Sequence, residues 1–124
     1  MDKKIIQTTN APSPIGPYSQ AVMAGNLLFI SGQIPLNAAT GEMETGSIEN
    51  QTKLVMKNLE SILTEEGLTF SNVVKTCIFL KSMSDFPKVN EVYGSYFTAE
   101  FPARETVEVS QLPKGASVEI SMIA

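Results

Sequence analysis

Arg104 is the one arginine in a chain of 124 residues whose other cations are all lysines. A planar guanidinium grips a carboxylate or phosphate through two parallel hydrogen bonds, whereas a lysine offers a point charge. Arg104 follows Phe101-Pro102-Ala103 and stands just before an expected strand. It is a candidate anchor for a small anion, the other reading being a solvated surface charge. Glu119 falls on the polar side of an alternating segment, where a carboxylate can orient or deprotonate a water. Glu105 and Glu108 offer the same group, and residue type alone does not rank the three. Tyr18, after Gly16-Pro17, can present its phenol to a pocket beside a turn or pack into the interior. Asn90 lies within an expected helix, either simply exposed or offering its amide to a ligand. Cys77 sits in the apolar run Val73–Leu80, where cysteine behaves as a small hydrophobe.

What the chain lacks restricts its chemistry further. It has no histidine and a single cysteine, so neither Ser-His-Asp nor Cys-His catalysis can be assembled, nor a zinc site of histidine and cysteine. No GxGxxG or phosphate-loop pattern occurs, and no carboxylates recur at metal-ligand spacing, so neither a cofactor nor a metal is expected. Thirteen acids against nine bases give a formal charge of −4, the wrong sign for a nucleic-acid surface that displaces phosphate counterions. The N-terminal Met1-Asp2-Lys3-Lys4-Ile5-Ile6-Gln7 carries no apolar stretch of signal or membrane-span length. An unpaired cysteine suits a reducing compartment. A cytoplasmic protein without nucleic-acid or membrane partners is the expectation.

The elements that must position these residues form one domain, residues 1–124. Pro12, Pro14, Gly16 and Pro17 make the first 17 residues extended and irregular. Tyr18–Ala24 and Leu27–Ile30 read as strands joined by a Gly25-Asn26 turn, and Ser31-Gly32-Gln33-Ile34-Pro35 ends the second. Ser47 can cap a helix whose apolar stripe is Ile48, Thr52, Val55, Leu59, Ile62 and Leu63, closed by Gly67. Val73–Leu80 reads as a buried strand. A second helix is expected from about Ser84 to about Glu100, with Pro87 in its first turn. Strands at Thr106–Val109 and from Ala116 onward close the chain around a Leu112-Pro113-Lys114-Gly115 turn. The order β-β-α-β-α-β-β describes an α+β domain, two helices covering one face of a mixed sheet. The other face then needs a cover, and a second copy of the chain is the expected one.

Taken in order, the segments resemble the RidA/YjgF family of enamine/imine deaminases. The matching runs are Ile15-Gly16-Pro17-Tyr18-Ser19-Gln20-Ala21, Ile30-Ser31-Gly32-Gln33-Ile34-Pro35, Asn72-Val73-Val74-Lys75-Thr76 and Asp85-Phe86 through Val89-Asn90-Glu91-Val92-Tyr93. After Tyr96-Phe97 come Pro102-Ala103-Arg104, Val107-Glu108-Val109, Leu112-Pro113-Lys114 and Val118-Glu119-Ile120. The resemblance implies a chorismate-mutase-like fold assembled as a homotrimer with active clefts between subunits. It implies cofactor-free and metal-free hydrolysis of 2-imino acids to 2-oxo acids and ammonia. Arg104 would hold the substrate carboxylate and Glu119 would position the attacking water. Tyr18, Ser31, Gly32, Asn90 and Thr106 would complete the substrate site. Thr106 stands where many members carry a cysteine. Glu105 stands where members often have a small residue, and turned inward it would pair with Arg104. Alternative activities are a non-catalytic metabolite-binding regulator of the same fold and an RNA-cleaving translation inhibitor.

Overall fold

The computed structural model describes residues 2–124. Six strands form one sheet in the order β1-β2-β3-β6-β4-β5: β1 Lys3–Ile6, β2 Ala21–Ala24, β3 Leu27–Gln33, β4 Lys75–Leu80, β5 Ala103–Glu108 and β6 Val118–Ile123. Only β4 and β5 run parallel; every other neighbour pair is antiparallel. Their connection contains α2, Phe86–Gly94, as a parallel crossover requires. The other helix, α1, is Ile48–Glu65. The mixed sheet with two helices is the expected α+β arrangement.

Helix α1 forms where its stripe and caps agree. Ser47 accepts a hydrogen bond from the Asn50 amide at 3.1 Å. Gly67 takes a left-handed φ of 70° just beyond the C-cap. Val55, Met56, Leu59, Ile62 and Leu63 are fully buried, together with Ile78, Leu80, Val118 and Ile120 of the sheet. Strand β6 alternates as its sequence does: Val118, Ile120 and Met122 are buried, while Glu119, Ser121 and Ile123 between them are partly exposed. The face away from the helices also carries Phe29 and Val107, each 43% exposed.

The four most informative departures from the sequence expectation concern β1, β2, α2 and β5. Lys3–Ile6 is a strand rather than irregular chain, recruited by antiparallel pairing of Ile6 with Ala21 and Lys3 with Ala24. It lies at a sheet edge, where lysines discourage further pairing, and such an edge leaves little periodic signal. Strand β2 starts at Ala21 rather than Tyr18, because Tyr18 is folded into a tight turn in which its backbone N–H donates to the Gly16 carbonyl at 2.9 Å. Helix α2 stops at Gly94 instead of running to about Glu100. Ser95 turns its hydroxyl back onto the Val92 carbonyl at 2.6 Å, and Tyr96 and Phe97 pack edge-on against Phe70. Tertiary aromatic packing wins there over continued helix. Strand β5 begins at Ala103, so Arg104 lies inside a strand rather than before one.

Candidate functional site

The sheet register divides the candidate residues between its two faces. Arg104 is paired with buried Thr76. It therefore shares the helix-covered face, since directly opposed residues point the same way and successive ones alternate. Glu119 lies between Val118 and Ile120, both buried under the helices, and so projects from the opposite face. Strand β4 separates the two residues' strands. Within one chain, Arg104 and Glu119 do not share a cavity.

Around Arg104, α2 and the chain entering β5 build a cleft of about 420 Å³ lined by Asn90, Tyr93, Gly94, Phe101 and Pro102. The guanidinium donates to Asn90 Oδ1 at 2.8 Å. Its Cζ lies 5.5 Å from the Phe86 ring centre and 5.2 Å from that of Tyr93, within cation–π range of both. Tyr93 is held by its hydroxyl, which donates to Thr76 Oγ1 at 3.0 Å, and burial raises its pKa. One guanidinium nitrogen is engaged with Asn90, and the remaining donors are free for an anion. Thr106, two residues along the same face of β5, has a buried Oγ1 with no hydrogen-bond partner. It lines neither the Arg104 cleft nor the Glu119 cavity.

Glu119 lines a cavity of about 450 Å³ with Tyr18, Ser31 and Gly32. Pro12, Ile15, Ile34, Leu36 and Pro113 give it mostly apolar walls. Burial raises the Glu119 pKa above the ordinary carboxylate value, since a low-dielectric wall disfavours the charged form. Gly32 lies against the carboxylate: a Cβ there would fall 2.7 Å from Glu119 Oε2. Ser31 donates its hydroxyl to the Ser19 carbonyl at 2.6 Å, tying β3 to the segment that carries Tyr18. Tyr18 is half exposed at the cavity, its hydroxyl accepting from the Ile15 amide at 3.3 Å.

The structure ranks the three acids. Glu105 turns to the face away from Arg104 and pairs with Lys75 at 3.0 Å, so it does not neutralise the arginine. Glu108 accepts from the Met83 amide at 2.7 Å, holding the turn Met83–Asp85 that leads into α2. Among the described residues Glu119 has no ion-pair partner within 4 Å. Cys77 is partly buried and free.

The family model described as Endoribonuclease L-PSP matches residues 8–124. The chain belongs to the RidA/YjgF family. It is similar over 122 residues to a RutC family protein of Pyrococcus horikoshii, 52% identical across 98% of this chain and 97% of that one. It is 46% identical to the 2-iminobutanoate/2-iminopropanoate deaminase of Mus musculus, covering 98% of this chain and 90% of the relative. Among solved structures, E. coli TdcF with bound serine matches with a TM-score of 0.93 at 40% identity, over 98% of this chain and 97% of that one.

In this RidA-family chain, Phe86 and Tyr93 join the site although the sequence does not single them out: Tyr93 belongs to the apolar face of α2 with Val89 and Val92, which are buried. That face serves both the interior and the guanidinium. Gln20 and Lys114, which carry no chemical signal in the sequence, also line the Glu119 cavity. Lys114 has a left-handed φ of 56°, which favours glycine and asparagine. The neighbouring Pro113-Lys114-Gly115 turn marks the place in the sequence.

Proposed function

We propose that this protein is a 2-iminobutanoate/2-iminopropanoate deaminase that hydrolyses reactive 2-imino acids to 2-oxo acids and ammonia without cofactor or metal. Its working form is a cytoplasmic homotrimer of chorismate-mutase-like protomers. The observation that carries this reading is the division of one complementary pair between two faces. A guanidinium with free donors lies on one face, and a burial-perturbed carboxylate lines a cavity on the other. An assembly that sets Arg104 of one chain against Glu119 of the next joins them into a single cleft and covers the exposed Phe29 and Val107.

In that cleft the substrate carboxylate takes the guanidinium donors that Asn90 leaves free, and the Phe86 and Tyr93 rings hold the guanidinium in place. Water attacks the imine carbon, forming a C–O bond while the C=N π electrons move to nitrogen. Glu119 accepts one proton from that water and passes it to nitrogen, giving a carbinolamine; it then takes the remaining hydroxyl proton and delivers it to the amino group, so that ammonia departs as the carbon–oxygen double bond forms. The imine carbon is already electrophilic, and a positioned water suffices in place of a side-chain nucleophile.

The test couples purified protein to a threonine dehydratase and follows decay of the 2-imino acid. Decay faster than the spontaneous rate supports the activity. No acceleration across several amino-acid precursors refutes it. A second experiment addresses the shared cleft. Arg104→Ala chains and Glu119→Ala chains, each inactive alone, should regain activity when co-refolded in equal amounts. About a quarter of the clefts, one half times one half, then unite an intact arginine with an intact glutamate. A mixture that stays inactive excludes a site built from two chains.

Gly32→Ala tests the cavity itself. The added methyl meets the far end of a flexible side chain rather than backbone, so the carboxylate should move while the fold holds. The expected result is turnover reduced roughly tenfold to hundredfold by misplacement of the base, with little change in melting temperature. Unchanged kinetics would show that the Glu119 position is not critical.

A further inference from the structure

Gln20 is 3% exposed and lies immediately before β2, with no charge and no place in the proposed chemistry. Its side-chain amide is nevertheless fully engaged. Nε2 donates to the carbonyls of Thr8 at 3.0 Å, Ala11 at 3.3 Å and Pro12 at 2.9 Å. Oε1 accepts from the Thr8 amide at 2.7 Å. A primary amide has two donor hydrogens, so three acceptors around Nε2 mean that one hydrogen is shared.

The bonded residues are informative. Thr8–Pro12 belongs to no strand or helix, and its backbone groups cannot be left unpaired where they are covered. The Gln20 amide takes the place of a neighbouring strand for that segment. Beyond Pro12 the same segment supplies Ser13, Ile15 and Tyr18 to the wall of the Glu119 cavity. Gln20 reaches the opposite side too: its backbone carbonyl accepts from the Ser31 amide at 2.9 Å, next to Gly32, which abuts Glu119. One residue thus connects the irregular wall at residues 12–18 to the regular β3 wall.

We infer that Gln20 is a positioning residue for the proposed reaction: its amide fixes the 12–18 wall of the cavity against Ser31-Gly32 and so sets how well the substrate's non-reacting part is bound. The inference rests on the deaminase reading. Glu119 and Arg104 stand on β6 and β5 and make no hydrogen bond to Gln20 or to the strap it holds. Loosening the wall should therefore weaken substrate binding and spare the chemical step.

The test compares wild type with Gln20→Met, which keeps the length and removes all four bonds, and with Gln20→Glu, which keeps an acceptor for the Thr8 amide but loses the donors when ionised. Steady-state kinetics on 2-iminobutanoate and hydrogen exchange are measured on the intact oligomer. The expected result is KM raised about tenfold in Gln20→Met with kcat within about twofold, which marks lost uniform binding. Gln20→Glu should show a similar KM. Exchange should accelerate across residues 8–18 while α1 stays protected. A merely structural glutamine would lower the melting temperature and leave KM of the folded enzyme unchanged, and that result overturns the inference. A fall in kcat at unchanged KM overturns it as well. Wild type without turnover refutes the deaminase reading and the inference with it, whereas active wild type with unaltered variants refutes the inference alone.

Discussion

Glu119→Gln slows imine hydrolysis by roughly 10²–10⁴-fold, the usual contribution of a positioned acid–base group, while the assembled protein stays folded. Glutamine keeps the shape that Gly32 accommodates and removes the ability to take and return a proton. Steady-state rates on 2-iminobutanoate, with and without the substitution, check this. The pH profile provides a second check. Burial raises the folded-state pKa of Glu119, and the base form is needed to accept the water's proton. Activity should therefore rise as pH climbs through that raised value, its acid limb lying above the ordinary carboxylate range. Stability should move the other way. The folded state binds the proton more tightly than the unfolded state, so Glu119 contributes stability at low pH that is lost as pH rises through the folded pKa. In urea unfolding, Glu119→Gln should remove that part of the pH dependence. A wild-type rate in Glu119→Gln would end the assignment.

In the proposed cleft, Arg104→Ala would remove a two-pronged anchor. Each hydrogen bond to a charged partner is worth about 1.5–3 kcal/mol, so the loss in kcat/KM should be roughly 10²–10⁴-fold. Arg104→Lys is the sharper experiment. Lysine keeps the charge but has one nitrogen, and a point charge cannot serve Asn90 and a carboxylate in the fixed geometry that the guanidinium offers. It also loses the delocalised guanidinium that lies 5.5 Å from the Phe86 ring centre and 5.2 Å from that of Tyr93. A deficit of about 10–100-fold in Arg104→Lys, with an unchanged oligomer on size-exclusion chromatography, is the expected outcome. Near-normal kcat/KM in the lysine variant would reduce Arg104 to a general positive charge.

Much of this architecture was legible in the residues because their patterns were redundant. The α1 stripe, its Ser47 cap and the Gly67 terminus each point to the same helix, and the alternation of β6 by itself sets Val118 and Glu119 on opposite faces. Where a single long-range contact decides, the sequence is silent. Strand β1 exists because β2 pairs with it. The 95–101 segment leaves the helix because Phe70, distant in sequence, offers an aromatic surface. The site shows the same division. Arg104 and Glu119 stand out by type and position, but the destinations of Glu105 and Glu108 depend on Lys75 and on the Met83 amide. No local signal announces that Gln20 spends its amide on three carbonyls rather than on solvent.

The placement of Arg104 and Glu119 on opposite sides of the sheet also bears on how the proposed activity is controlled. On that proposal, a correctly folded solitary chain would be inactive, because the sheet itself stands between Arg104 and Glu119. The proposed hydrolysis would then be tied to subunit association rather than to folding. On dilution, turnover should fade while circular dichroism still reports an intact protein, so that specific activity becomes a gauge of assembly.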